Sequence, residues 1–469
     1  MERNDQLLKF KEIVLDPISP SVCSAKWLET TMWLYDGVTA SCHHNPSHKI
    51  QLDPNDPSSL HNTAQKINER KAMLAGEKPS GCSYCWNTED NNSISDRYRK
   101  SHAHKTAMLK IPMELESDTE LSTASKAYQK KVFTSVNDAS PTHLEIAFSR
   151  VCNLGCMYCG PYFSNTWAND IRVNGPYEIR DKNHYDTRFE DWMPEIKDEE
   201  DNPYIKAFFQ WWPELKKTLM NLRFTGGEPF LHAAMWKFLK EAVSDPMYKG
   251  DILINSNLIH NRKLLEKFID IANIPIIGSK NKLRKFQIHT SCESSLTDSE
   301  YIRDGFDGKV WLENVNTLLS SVPNLKITVT TAINNIAIWS YDDYIDTIID
   351  LRLKYGSHRI NLNSNRVFHP VYQQIAMIDI ERRMKLKDML IISRKKLKDS
   401  GVSNKYDFDQ LDSLINYTGE LHTSSHDSAE EKALIKFLDE YNIRRNKDET
   451  TLSAGYLDWI YELRERHDK

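Results

Sequence analysis

Eight cysteines stand in the 469-residue chain, and seven of them gather into two groups. Cys152, Cys156 and Cys159 share one stretch, SRVCNLGCMYCG, at intervals of four and three residues. Three thiolates on so short a loop can wrap one cuboidal iron–sulfur cluster. Such cubanes usually take four cysteines, so a compact trio leaves one iron open to an outside ligand, as a catalytic centre needs. Zinc is the main competitor, because three cysteines and a histidine make an acceptable tetrahedral site. Here Gly160-Pro161 follows the trio in place of a nearby histidine. The other group, Cys23, Cys42, Cys82 and Cys85, brings four thiolates, enough to close a metal site completely. Zinc is the default for such a quartet, yet the wide gap between Cys23 and Cys42 fits a zinc ribbon poorly. A fully ligated iron–sulfur cluster accepts the same ligands. Cys292 is solitary; a buried inert thiol is its plain reading, with hydrogen-atom donation or ligation as the functional one.

A second motif is TGGEPF at 225–230. Gly226 and Gly227 have no Cβ and let a ligand approach the backbone. Glu228 adds a carboxylate that, at a rim, suits an ammonium group, and Pro229 stiffens the exit from the turn. Standing alone, such a segment is more often a structural turn. Ser256 and Asn257 in INSN, and Ser291, are polar residues at strand ends, where turn capping competes with ligand contact. His43 and His44 beside Cys42 are either a fifth ligand or proton carrier, or plain surface polarity. Trp27, Trp33 and Trp86 near the quartet shield it from water or simply pack.

The elements that must position these residues follow from periodicity. Short strand-like runs at 143–148, 222–225, 252–256, 286–291, 326–333 and 359–364 alternate with longer helical ones. That pattern predicts an α/β fold, a partial (β/α)6 barrel with its working loops at the C-terminal ends of the strands. Residues 140–370 form this core. Residues 1–130 read as a small N-terminal β-hairpin domain turning at Asp36-Gly37, with loop from Asn45 to Asn68 and a partly helical run after Ile94. Residues 371–469 read as a helical C-terminal extension. The polar insertion from about Asn165 to Asn202 is too long for an ordinary connection and suggests a lid or a substrate-facing excursion.

Composition narrows the classes. With 40% apolar and 27% charged residues the chain can bury a large core. A net charge of -5 and a pI near 6.4, with no long basic stripe, argue against a strongly electrostatic nucleic-acid binder. No apolar run approaches a membrane span, and the polar start MERNDQLLKF lacks a secretory layout. A cytoplasmic setting, which keeps thiols reduced, is the expectation. No glycine fingerprint of a dinucleotide enzyme follows the first strand of the core, because the cysteine trio occupies that turn.

On these residues the chain resembles the radical S-adenosylmethionine superfamily, whose members carry C-x3-C-x2-C and a GGEP-type turn in the same places. The resemblance implies a [4Fe-4S] cluster on Cys152, Cys156 and Cys159, with the amino and carboxylate groups of S-adenosylmethionine on its open iron. It places Tyr158 near the adenine, Gly226, Gly227 and Glu228 at the amino-acid portion, and Ser256, Asn257 and Ser291 among the remaining cofactor contacts. The stretch EYIRDGFDGKVWLENVNTLL resembles the helix that follows in relatives and supports the fold rather than the chemistry. The segments VCSAKWLETTMWLYDGVTASCHH and MLAGEKPSGCSYCW look like the N-terminal auxiliary-cluster module of twitch-type members, which implies a second [4Fe-4S] cluster on Cys23, Cys42, Cys82 and Cys85. The resemblance spans about residues 20–370 and stops before the helical tail. It implies reductive cleavage of S-adenosylmethionine to a 5′-deoxyadenosyl radical, hydrogen abstraction from a substrate such as a peptide or protein, and an electron donor such as flavodoxin or ferredoxin. The alternative is a non-catalytic iron–sulfur or zinc-binding redox sensor or scaffold, which has no need of an open iron beside an amino-acid-binding turn.

Overall fold

The computed structural model describes residues 3–109, 118–179, 201–276, 283–420 and 428–467. In chain order its strands are β1 (Glu29–Trp33), β2 (Val38–Ala40), β3 (His48–Lys49), β4 (His143–Ala147), β5 (Gly155–Cys156), β6 (Asn221–Thr225), β7 (Asp251–Asn255), β8 (Phe286–Ser291), β9 (Arg303–Asp304), β10 (Leu325–Ile333) and β11 (Ile360–Arg366). The six strands expected between 143 and 364 are all present, as β4, β6, β7, β8, β10 and β11, and helices separate most of them. The fold is mixed α/β with mainly parallel strands. Two compact units emerge, one from Met1–Phe148, Ile196–Phe224 and Asp245–Asp251, the other from Ser149–Glu195, Thr225–Ser244 and Ile252–Lys469.

In the first unit the strands lie in the order β6-β4-β1-β2-β3. The hairpin expected at Asp36-Gly37 forms between β1 and β2, with Gly37 at φ +63° as a tight turn requires. β1 also pairs in parallel with β4, from Glu29 opposite His143 to Trp33 opposite Ala147, so the hairpin is continuous with a parallel ladder. Thr63 caps the helix Ala64–Leu74, which begins inside the stretch expected to be loop. Asn202 caps the helix Pro203–Leu215, and its amide donates to the Leu34 carbonyl at 2.9 Å. An apolar cluster that includes Val22, Trp27, Met73, Trp86 and Phe133 takes in Cys82, with Cys23 packed against it.

In the second unit β7, β8, β10 and β11 run parallel, in the order β11-β10-β8-β7. Ile252, Ile254, Ile288, Ile327, Val329 and Ile360 are fully buried along them. Helices Arg262–Ala272, Gly308–Ser321 and Tyr341–Tyr355 intervene. The tail is helical as expected, through Ile380–Asp399, Lys405–Gly419, Ser428–Arg445 and Ala454–His467. The long insertion opens with the helix Asn165–Asn174, which buries Trp167, Ala168 and Ile171. Its expected excursion at 180–200 lies outside the described residues. Among the described residues no helix is long and apolar enough to cross a membrane.

Candidate active site

The cysteine loop of the second unit is gripped from several sides. Cys152 N–H donates to Asn165 Oδ1 at 2.9 Å, and Thr166 Oγ1 donates to the Cys152 carbonyl at 2.7 Å. Trp167 Nε1 donates to the Cys156 carbonyl at 2.9 Å, and Gln373 Nε2 to that of Met157 at 3.0 Å. Cys156 is itself a strand residue: β5 pairs antiparallel with β9, which sets Cys156 opposite Arg303. Every thiol of the trio is held above its ordinary pKa. Burial and then Cys156 act on Cys152, and the same causes push Cys159 up to about 12. Thiols held up in this way, Cys156 buried and Cys152 and Cys159 half-buried, lose their protons readily to a bound cation or cluster. Among the described residues no group of three or more His, Cys, Asp or Glu side chains closes around the position of a single metal ion. Thiolates on one tetrahedral zinc lie about 4 Å apart, given Zn–S bonds of ~2.3 Å. Thiolates on a cubane bind separate irons, and three cysteines of one short loop are a donor set that it can take.

A buried network joins this loop. Arg303 Nη1 donates to Cys156 Sγ at 3.3 Å, while Nε and Nη2 donate to Glu293 at 2.5 and 2.7 Å. Tyr158 Oη donates to the same carboxylate at 2.5 Å, and the guanidinium lies 5.5 Å from the Tyr158 ring centre. Burial alone would favour discharging Arg303, but Cys156, Glu293 and Tyr158 hold it well above its usual range. Sequence reasoning missed Glu293 and took Arg303 only as part of a supporting helix. The signal was local, ESS and YIRDG, but its meaning depends on a two-residue strand pairing across 147 positions.

The glycine turn works differently from the expectation. Gly227 N–H donates to Ser149 O at 3.2 Å and Glu228 N–H to Val151 O at 2.8 Å, so the turn zips onto the residues just before Cys152. A Cβ on Gly227 would stand 2.3 Å from Val151 O and 2.6 Å from Arg150 C and O. The chain's own cysteine loop takes the close approach that was expected of a ligand. Glu228 is fully buried rather than at a rim. Its carboxylate accepts from Phe230 N, Ser256 Oγ and Asn257 N at 3.1, 2.9 and 2.7 Å, and His260 Nε2 lies 3.1 Å away. Its lone pairs are therefore engaged inside the chain, not left for an ammonium group. Gly226, at φ +113°, makes the turn possible. Asn257 Nδ2 donates to Asn153 Oδ1 at 2.8 Å, which ties the β7 end to the cysteine loop. Ser256 and Asn257 are thus brought to the loop. Ser291 closes β8, half-buried and opposite Thr330. Cys292 is buried, with Sγ 3.6 Å from Ser294 O and 3.5 Å from Ser299 Oγ, and burial pushes its thiol up to about 12, as an inert core cysteine requires.

In the first unit Cys23, Cys42, Cys82 and Cys85 line one cavity together with Lys26, His44, Asn45, Trp86 and Arg97. Burial raises Cys23, Cys82 and Cys85, with Cys82 pushed up to about 11. The Asn45 amide is better satisfied when its oxygen accepts from Lys26 Nζ at 2.6 Å and its nitrogen donates to Gly81 O at 3.3 Å. The amide atom facing the Cys42 and Cys82 sulfurs, at 3.6 and 3.4 Å, is then an N–H donor, suited to thiolates. His44 is engaged by Asp96 at 2.7 Å and stacks on Tyr84 at 3.8 Å, and half-exposed His43 lies 3.5 Å from Glu145. Trp86 lines the cavity with its N–H on Pro79 O, Trp27 packs edge-on against Phe133, and Trp33 is half-buried on β1.

No family model and no curated protein matches the chain. Among solved structures, the crystal structure of Streptococcus suis SuiB bound to S-adenosylmethionine overlaps 79% of this chain and 69% of its own, at 13% identity and a TM-score of 0.33. An overlap that loose identifies neither family nor activity, which leaves the site's own residues to speak for it.

The tail supplies the last part of the setting. Tyr441 Oη donates to Gly155 O at 3.4 Å and to Tyr301 O at 3.1 Å. Arg445 lies 5.0 Å from the Trp167 ring centre and pairs with Asp304 at 3.2 Å and Asp170 at 3.4 Å. The helix Ser428–Arg445 therefore braces the back of the cysteine loop, although the resemblance stopped before it.

Proposed function

We propose that this chain is a radical S-adenosylmethionine enzyme whose cluster sits on Cys152, Cys156 and Cys159. The observation that carries the reading is the makeup of the trio's surroundings. The three thiols share one short loop that contains no histidine, burial holds each above its ordinary pKa, and Arg303 Nη1 donates to Cys156 Sγ at 3.3 Å. A cubane there would keep one corner for an exogenous ligand, and the chemistry it supplies is one-electron cleavage of S-adenosylmethionine to a 5′-deoxyadenosyl radical that takes a hydrogen atom from substrate. The chain's own residues do the rest. The GGE turn and Asn153–Asn257 fix the loop, Arg303 sets a positive charge against one sulfur, and Tyr158 offers a ring for the adenine. The surrounding strands act as a partial (β/α)6 barrel. The N-terminal quartet holds a second [4Fe-4S] cluster in a twitch-type module, with Asn45 and Lys26 as its polar support. A peptide or protein substrate, a flavodoxin or ferredoxin donor and a cytoplasmic setting complete the reading.

Anaerobic reconstitution tests it. The full chain should bind about eight irons, four per cubane, and with dithionite and S-adenosylmethionine it should release 5′-deoxyadenosine. Tightly held zinc at the trio, or iron-loaded protein that leaves S-adenosylmethionine intact, would return the chain to a scaffold or sensor.

Arg303 gives a second readout. Reduction adds negative charge beside Cys156, which the guanidinium stabilises, and hydrogen bonds to the sulfurs help set cluster potentials. Arg303→Met should lower the midpoint potential by ~60 mV or more, a tenfold shift in a one-electron equilibrium, and Arg303→Lys should recover part of it. An EPR-monitored redox titration that finds all three proteins alike would remove Arg303 from this role.

A further inference from the structure

A polar cavity of about 370 Å³ opens at the C-terminal end of β11, lined by Asn365, Arg366, Phe368, Gln410, Ser413 and Leu414 among others, with no acidic side chain among the described residues of its wall. Arg366 is the last residue of β11. Its guanidinium lies 4.0 Å from the Tyr417 ring centre and 5.4 Å from that of Phe368. Among the described residues it has no hydrogen bond or ion pair. Other arginines of this unit are spoken for: Arg303 by Glu293, Arg352 by Asp407, Arg394 by Asp412 and Arg464 by Asp439. Gln410 Oε1 accepts from Ser364 N at 3.2 Å, which leaves its NH2 group as a further donor. Phe368 is 57% exposed and, with Leu414, provides an apolar wall.

We propose that this cavity is a carboxylate-binding subsite. A planar guanidinium held by two ring faces keeps its fork of N–H donors free and oriented, the arrangement that matches a carboxylate in bidentate fashion. One cation with amide and hydroxyl donors suits a monoanion better than a phosphate. The parallel strands bring Arg366 to the same strand-end side as Ser256 and Asn257, three strand spacings across and three to four residues further along, so roughly 18 Å away. That distance suits a remote anchor on an extended, peptide-sized substrate, the anchor's use resting on the radical reading above. Its binding does not depend on that reading.

The test is titration calorimetry on full-chain protein, as purified and after iron–sulfur reconstitution. The probes are N-acetylglutamate α-amide, N-acetyl-dialanine and inorganic phosphate. The first two separate a side-chain carboxylate from a chain-terminal one, and whichever binds tighter names the source. Saturable binding of either is expected, weakened at least tenfold in Arg366→Met and less in Arg366→Lys. Equal binding by Arg366→Met, tighter binding of phosphate, or no saturable binding by either carboxylate would overturn the subsite. If Arg366→Met lowers the melting temperature, Phe368→Ala decides, because it removes a brace from the guanidinium and should weaken the carboxylate severalfold; an unchanged affinity would count against the proposal. No electron or S-adenosylmethionine enters the titration, so a protein that fails to release 5′-deoxyadenosine can still bind the carboxylate, and the two failures are distinguishable.

Discussion

Cys156→Ala should keep the fold, lose about half of the roughly eight irons and release no detectable 5′-deoxyadenosine. The residue is the centre of the trio in a physical sense. Its charge acts on both Cys152 and Cys159, it alone receives the Arg303 hydrogen bond, and its backbone lies in the β5–β9 pairing. Alanine keeps the strand pairing and the Trp167 contact to the carbonyl, so the loop retains its path while losing one of three ligands. Two thiolates with no replacement nearby do not hold a cubane whose fourth corner is already committed elsewhere. Iron analysis, the near-ultraviolet and visible absorption of the cluster and product chromatography read the outcome together. Full iron content with undiminished cleavage would mean that the trio is not the cluster site. Cys82→Ala serves as the opposite control, since it should remove the N-terminal cluster and leave the other in place.

Gly227→Ala should be almost as damaging, although it touches no sulfur. The new methyl carbon meets backbone, 2.3 Å from Val151 O and 2.6 Å from Arg150 C and O, and backbone cannot swing aside as a flexible side chain can. Relief requires the turn to lift off residues 149–151, which breaks the Gly227–Ser149 and Glu228–Val151 hydrogen bonds. Overpacking costs about 1–3 kcal/mol and each lost bond ~0.5–1.5 kcal/mol, so a loss of roughly 3 kcal/mol follows, read as a melting temperature lower by roughly 5 °C in a unit of this size. Cys152 begins where the strain ends, so iron at the trio should fall as well. Calorimetry and iron analysis check both parts. Wild-type stability with wild-type iron would show that the turn is not a clamp on the loop.

Much of this candidate site was legible in the residues because its three thiols are neighbours in sequence. The spacing of Cys152, Cys156 and Cys159 is a local fact, and so is the pair of glycines. The six strands announced themselves through short apolar runs bounded by turns. What was hidden depends on pairings between distant segments. Nothing near Glu29 reveals that it lies opposite His143, and nothing near Arg303 reveals a sulfur 3.3 Å away. Glu228 misled for a related reason: a carboxylate after two glycines looks like a ligand until Ser256, Asn257 and His260 are seen closing around it. The helical tail showed only charged periodicity, which says nothing of the surface it covers.

The brace from Tyr441 and Arg445 bears on how the protein is made. The three thiols leave the ribosome nearly three hundred residues before the helix that backs them, since Tyr441 reaches Gly155 across 286 positions. Throughout that interval a nascent chain carries its cysteines without the Tyr441 and Arg445 contacts, with nearer ones such as those from Asn165, Thr166 and Trp167 to hold the loop. On the proposed reading, iron delivery to a finished pocket belongs after translation, and a product truncated before residue 441 would have the thiols without Tyr441 and Arg445 behind them.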